Sequence, residues 1–507
     1  MAKLRVLMVA AEAVPFAKSG GLADVLGSLP VSLKQAGVDV RIIMPEYRRI
    51  YLKYAGRSEL TGTIRVPAGE TPQTASVREY ITPDGIPVYF IGHEGYYHRS
   101  GMYGTLRGDF EDNDERFIFF SRAVFETVKM LKWQPDIIHC HDWHAGLVPV
   151  YLKRFYQGQK LFAGTRSVMT VHNLAYQGRF PGVRFPKSGL PWSDFTSETL
   201  EFYGDVNFLK GGLIFADAVT TVSPTYSREI LSAQQGCGVE GVLRSREKDL
   251  HGILNGIDME TWNPETDSQI PANFSARTIA RKARNTEALK RSAGLYFPGI
   301  HAIPLLGMIT RLAEQKGLDL LMERLDDLMH LDIQLIILGD GDDRYRRMLI
   351  DAARRYQGKL LVDTAFNESR ARFIYAGSDM FLMPSRYEPC GLGQMIAMRY
   401  GTVPIVHKTG GLADTVTPFN PKTGEGTGFV FDRYESTALS WGVSTAVELF
   451  QKKKLWRTIV ENAMRQEFSW QHSVKEYMVL YRKTLRAPRR TVKTTTVGTA
   501  RKDTGTL

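Results

Sequence analysis

A chain of 507 residues exceeds what one hydrophobic core organises, so two or three domains are expected. Hydrophobic residues at 43% and charged residues at 23% fit a globular protein, and no apolar run approaches the roughly 18 residues of a membrane helix. Much of the net charge of +11 sits at the end, where Arg486, Arg489, Arg490, Lys493, Arg501 and Lys502 face only Asp503 in a Thr-rich stretch; 486–507 therefore reads as a basic disordered tail and not as a nucleic-acid arm.

The first residues enter an apolar strand over 4–9 without a secretory pattern before it. A helix over 22–36 follows, ended by Gly37, then a strand over 38–44 closed by Pro45. The stretch 61–91 has short alternating runs broken by Pro and Gly, which predicts inserted hairpins. Strands are predicted at 137–140, 167–171 and 218–222, and in a second series at 305–310, 334–338, 359–362, 380–383 and 403–406. Helical patterns, such as 317–329 and 344–356, separate them. Two such series imply two doubly wound α/β domains, with a boundary near 250–263. Cys140, Cys237 and Cys390 are too far apart for a disulfide framework, which points to a reducing, cytoplasmic setting.

In such folds ligands bind at the carboxyl ends of strands, beside helix N-termini. Lys18-Ser19-Gly20-Gly21 lies at one such end, where glycine amides and a lysine suit an anion. The tract Lys408-Thr409-Gly410-Gly411 echoes it in the second half. His139-Cys140-His141-Asp142-Trp143-His144 ends another strand; its spacing misses the usual zinc pattern, so Asp142 and Trp143 are expected to face a sugar. His172 ends the next strand at the same edge. In the second half, Arg311 and Lys316 are spaced to straddle a diphosphate. Gly391-Leu392-Gly393 opens a helix suited to phosphate, and Glu388 stands where a carboxylate can hold sugar hydroxyls. Cys390 reads as a small buried residue. Asp112-Asn113-Asp114 and Asp340-Gly341-Asp342 match metal-binding D-x-D patterns, but they read as a helix start and a turn. With Arg311 and Lys316 on the diphosphate, no metal or other cofactor is expected.

These blocks, with Thr170-Val171-His172-Asn173, Gly252-Ile253-Leu254-Asn255-Gly256-Ile257-Asp258 and Glu388-Pro389-Cys390-Gly391-Leu392, together resemble the bacterial glycogen synthase and plant starch synthase family over nearly all of 1–485. The resemblance implies a GT-B fold: two Rossmann-like domains, 1–250 and 251–469, flanking an active-site cleft, with a helix over 470–485 crossing back. It implies transfer of glucose from ADP-glucose to the nonreducing end of an α-1,4-glucan such as glycogen, with retention. UDP-glucose as donor and a starch-like acceptor stay open as alternatives.

By position, the resemblance puts Lys18, with Gly20 and Gly21, on the donor phosphates, and Arg311 and Lys316 on the leaving diphosphate. Glu388, Asn255 and His172 fall around the glucose, Asp142 at the donor–acceptor region, and Phe366 against adenine. Cys390, Gly391, Leu392 and Gly393 form the remaining substrate-binding segment. The chain departs from the family at Phe366, often Tyr, and at Gly393, often Thr. No nucleic-acid or membrane partner is expected, and oligomeric state is not readable. Three other readings share parts of the pattern: a pyridoxal-phosphate-dependent α-glucan phosphorylase, a noncatalytic glucan-binding protein, and a zinc hydrolase built on His139, His141 and His144.

Overall fold

The computed structural model describes residues 3–67, 69, 71–105, 108–295, 303–365 and 367–492. The chain divides into two compact units. The first comprises Met1–Thr221, Ile230–His251 and Val474–Leu507; the second comprises Val222–Glu229 and Gly252–Ser473. Among the described residues, no helix is long and apolar enough to cross a membrane.

The first unit is built on a nine-stranded sheet. Its central strand, Arg5–Val9, pairs in parallel with Asp39–Pro45 on one side and Ile137–His141 on the other. Arg166–Val171 and Ala218–Thr221 extend the second side. Helix Gly21–Gln35 connects the first two strands and buries Leu22, Val25, Leu26, Leu29 and Leu33, a helical stripe; the chain turns out of it at Gly37, φ +90°. The expected hairpin is present as Glu59–Val66 with Gln73–Ile81. Pro87–Gly92 is no insertion, however: it pairs in parallel with Asp39–Pro45 and belongs to the main sheet. Five of its six residues are buried, as a strand covered on both faces requires.

The second unit's sheet has six parallel strands, in spatial order Leu360–Asp363, Gln334–Leu338, Leu305–Ile309, Met380–Met383, Val403–His407 and Phe429–Phe431. Counted along this unit the order is 3-2-1-4-5-6, the dinucleotide-fold order, and the winding reverses between Leu305–Ile309 and Met380–Met383. Helix Leu318–His330 packs on the sheet through Leu318, Leu321, Leu325 and Leu328. Each such buried leucine contributes about 1.5–3 kcal/mol.

Two sequence expectations need correction. Val222–Glu229 falls in the second unit and not in 1–250. Its side chains explain why: Ser223 Oγ donates to the Pro389 carbonyl at 2.6 Å, and Thr225 donates through N and Oγ1 to Asp414 at 2.8 and 2.7 Å. The stretch from 486 is not a solvated tail throughout. Arg490 Nε donates to the Ile214 carbonyl at 3.0 Å, Lys153 donates to the Arg490 carbonyl, and Arg166 donates to the Ala487 carbonyl. Residues 493–507 lie outside the described residues.

Gly317 ends the turn that carries Lys316, at φ +74°. A Cβ there would lie 2.0 Å from the Pro384 carbonyl oxygen. Gly317→Ala is therefore expected to cost roughly 2–4 kcal/mol, from left-handed backbone strain plus displacement of the Pro384 strand end. Urea denaturation monitored on the second unit measures this.

Candidate active site

In the second unit the loops after Leu305–Ile309 and Met380–Met383 meet at the winding reversal. They are sewn together by Arg386 N donating to the Gln315 carbonyl at 2.9 Å and Gln315 Nε2 to the Tyr387 carbonyl at 3.2 Å. This brings Lys316 Nζ within 2.7 Å of Glu388 Oε2, to which Ser385 Oγ also donates at 3.0 Å. Both charged side chains are largely buried, at 19% and 9% exposure. The two residues assigned separately to phosphate and sugar are thus each other's partners. An ammonium has three donors, so Lys316 can hold Glu388 and still offer hydrogens to an anion. Arg311 lies exposed on the same loop.

Around this pair, Asn255 hydrogen-bonds Cys390, and its buried Oδ1 has no protein partner. Burial pushes the Cys390 thiol up to about 12, which favours the protonated thiol of a small buried residue. Gly391 takes φ +73°, and Leu392 caps helix Gly393–Arg399. Gly393 lies against the core: a Cβ would stand 3.1 Å from Phe381 and 3.3 Å from the Tyr375 hydroxyl. Its lack of a side chain therefore serves packing here. Phe366 lies outside the described residues.

In the first unit the winding reverses between Arg5–Val9 and Ile137–His141. The loop after Arg5–Val9 carries a buried carboxylate that sequence reasoning passed over. Glu12, 3% exposed, accepts from Ser19 N and Ser19 Oγ at 2.5 Å each, from Gly20 N at 3.3 Å, and from the Tyr103 hydroxyl at 2.7 Å. The Gly20 amide, expected to face an external anion, is turned onto this internal one. Lys18 pairs with Asp24 at 2.6 Å and stays half exposed, and a Cβ at Gly20 or Gly21 would meet nothing within 4 Å. The echo loop repeats the arrangement inside the second unit. Glu229 accepts from Thr409 Oγ1 at 3.1 Å and from Gly410 N at 3.0 and 3.1 Å. There the glycines are steric necessities, since a Cβ at Gly410 would come within 2.0 Å of the Glu388 carbonyl and one at Gly411 within 2.1 Å of the Cys390 carbonyl. The sequence signal for Glu12 was available: it is a lone acid within the apolar stretch 4–17.

Asp142 follows Ile137–His141 with φ +55°, a conformation rare for a residue with a side chain. Its Oδ1 accepts from His172 N at 2.7 Å. Burial outweighs that bond and the one from Asn173, and raises the Asp142 carboxyl to about 7. His172 Nε2 lies 3.0 Å from His141 Nδ1, and burial lowers its pKa to about 3, so it stays neutral. His139 is engaged by the Tyr481 hydroxyl and Thr170 Oγ1, while His144 stacks on Trp143 and Tyr103. The Trp143 ring, expected to offer a face to a sugar, stacks on His144 at 4.0 Å and lies so close to Gly178 that a Cβ there would fall within 2.3 Å of it, which leaves the side chain half-buried. Among the described residues, no three His, Cys, Asp or Glu side chains converge to hold a metal.

Two family profiles match this chain. One, described as starch synthase catalytic domain, covers residues 5–245, and one described as glycosyl transferases group 1 covers 301–465. A glycogen synthase of Desulforamulus reducens is 45% identical over 95% of this chain and 99% of that protein. One from Geotalea daltonii is 46% identical over 94% and 98%. The chain belongs to the glycogen synthase and starch synthase family. In solved structures, the catalytic domain of starch synthase IV from Arabidopsis thaliana, bound to ADP and acarbose, aligns with TM-score 0.87 at 33% identity, over 96% of this chain and 100% of that one. A sucrose-phosphate synthase from Thermosynechococcus elongatus, at 18% identity and TM-score 0.59 over 95% and 99%, shares the fold alone. The protein is thus a glucosyltransferase of GT-B fold.

Two outcomes follow from these contacts. Glu12→Gln replaces an acceptor by a partial donor facing two amides, so amide exchange over 18–21 should speed up at least about tenfold, as read by hydrogen–deuterium exchange. Asp142, with its folded pKa near 7, binds a proton in the fold that the unfolded chain has already lost, so its contribution to stability is lost as pH rises from about 4 to 7. Asp142→Asn lacks this dependence. From about pH 5 to pH 7 its stability should gain roughly 2–3 kcal/mol on the wild type, measured by denaturant midpoints.

Proposed function

We propose that this protein transfers glucose from ADP-glucose to the 4-hydroxyl at the nonreducing end of an α-1,4-glucan, with retention, and so elongates glycogen. The observation that carries the reading is the Lys316–Glu388 contact at the winding reversal of a dinucleotide-type sheet. It sets a cation for a diphosphate beside a carboxylate for a sugar. The ADP in the related starch synthase supports a nucleotide-diphosphate donor. The neutral histidines and Asp142 in the first unit suit a site for sugar hydroxyls, which need hydrogen-bond partners of both kinds and no fixed charge.

In this reading the bond from the anomeric carbon to the diphosphate oxygen breaks while the acceptor oxygen attacks from the same face. The acceptor's proton passes to the departing diphosphate. Arg311 and Lys316 stabilise the charge that develops on that group, and Lys18 adds to donor binding. Glu388, through the oxygen not engaged by Ser385 and Lys316, holds the sugar and favours positive charge at its anomeric carbon. Asn255, with its unpartnered Oδ1, takes a glucose hydroxyl. The protein acts in the cytoplasm, where thiols such as Cys140, Cys237 and Cys390 persist unpaired.

The test is release of ADP or UDP from the two sugar nucleotides with a glycogen primer. ADP-glucose should be the better donor; failure to release nucleotide from either overturns the reading. Arg311→Ala and Lys316→Ala should each lower kcat about 10²–10³-fold at saturating donor. Lys18→Gln should raise the donor KM roughly tenfold and leave the unfolding midpoint unchanged.

A further inference from the structure

His141 is the last residue of strand Ile137–His141 and is fully buried. Its ring meets that of His172, which follows the neighbouring parallel strand Arg166–Val171 and is only half-buried. His141 Nδ1 and His172 Nε2 stand 3.0 Å apart. A hydrogen bond between two imidazole nitrogens takes a single hydrogen, carried by one ring and accepted by the other. Burial holds both rings well below the usual histidine range, so both are neutral.

Where the shared hydrogen sits is decided on the far side of the His141 ring. Among the described residues, the buried Nε2 of His141 has no hydrogen-bond partner. His139 cannot serve it. Its ring lies 4.2 Å from that of His141, but both its nitrogens are taken, Nδ1 by the Tyr481 hydroxyl at 2.8 Å and Nε2 by Thr170 Oγ1 at 2.6 Å. If the shared hydrogen belonged to His172, a neutral His141 would have to carry its own on Nε2, as an N–H with no acceptor in the core. An imidazolium at His141 would carry one there too. With the shared hydrogen on His141 Nδ1, the far nitrogen is bare. Folded proteins tolerate an idle acceptor more readily than a buried N–H without a partner. His172 Nε2 is then the acceptor, and the one hydrogen of the His172 ring lies on Nδ1.

We propose that His141 is a positioning residue that fixes His172 in the Nδ1–H tautomer, so that His172 meets a sugar oxygen as a hydrogen-bond donor and not as a base. Nε2 is held by His141, and Nδ1 already carries its hydrogen. The use on a sugar rests on the glucosyl-transfer reading, whereas the tautomer does not.

The experiment is nitrogen NMR of the full chain labelled at histidine, with His172→Asn assigning the His172 signals by their loss. At neutral pH, His172 should read as protonated at Nδ1 and bare at Nε2 without any substrate. In His141→Leu, which offers no N–H, His172 should move toward the Nε2–H tautomer that free imidazole side chains favour. His141→Asn, whose amide can stand in for Nδ1–H, should restore the wild-type pattern. A purely structural role for His141 would not move this signature. The wild-type spectrum decides the tautomer even if His141→Leu does not fold. In the glycogen-primed assay, His172→Asn, with an N–H in the place of Nδ1, should keep a kcat roughly tenfold above that of His172→Gln, whose amide reaches the place of Nε2. A wild-type His172 protonated at Nε2, a tautomer unchanged in folded His141→Leu, or equal kcat in the two His172 variants would overturn the proposal. Failure of the wild type to release nucleotide, with the NMR pattern as expected, would instead overturn the glucosyl-transfer reading and leave the tautomer standing.

Discussion

Parallel strands that end side by side leave their following loops with backbone amides and no ladder to satisfy them. In this protein two carboxylates take that role, Glu12 buried and Glu229 half-buried. Glu12 gathers the amides of Ser19 and Gly20 with two hydroxyls, and Glu229 gathers Gly410 and Thr409. The rest of each site hangs on this bracing. Lys18 is presented by a loop whose shape is set from beneath, and Gly410 and Gly411 can lie on the Glu388 and Cys390 backbone because Glu229 holds them there. The same tetrapeptide pattern, Lys-Ser/Thr-Gly-Gly, thus serves two ends: in one loop the glycines border open space, in the other they permit backbone contact.

The two units solve their electrostatics in opposite ways. The second keeps full charges at its winding reversal and makes them tolerable by pairing, with Lys316 and Ser385 sharing one oxygen of Glu388. The first keeps the groups that follow strands Ile137–His141 and Arg166–Val171 close to neutral. Desolvation keeps His139, His144 and His172 neutral and brings Asp142 to the edge of protonation. Fixed cations suit a diphosphate, and neutral donors and acceptors suit hydroxyl groups. The strained φ of Asp142 belongs to this arrangement, because it turns the carboxylate onto the His172 amide.

Much of the fold was legible in the sequence. Strands buried on both faces read as apolar runs, and those predicted at 334–338 and 380–383 coincide with Gln334–Leu338 and Met380–Met383. Legibility failed where a segment's place depends on a distant partner. Val222–Glu229 follows a first-unit strand, yet it is claimed by Pro389 and Asp414. Residues 486–492 look solvated by composition, yet their carbonyls and Arg490 are taken up by Arg166, Lys153 and Ile214. Trp143 has the chemistry of a sugar platform, and its contacts with Gly178 and His144, which take up part of its surface, come from distant and local chain alike.

The sequence by itself determined the doubly wound class, the loops at the carboxyl ends, and which side chains carry chemistry, because periodicity and glycine placement are local properties. It could not decide who touches whom. Only the tertiary structure joined Lys316 to Glu388 across 72 residues of chain, set Glu12 under the glycine loop, and enclosed Lys282 among carbonyls. Those contacts follow from strand order, and strand order is settled by packing the whole sheet.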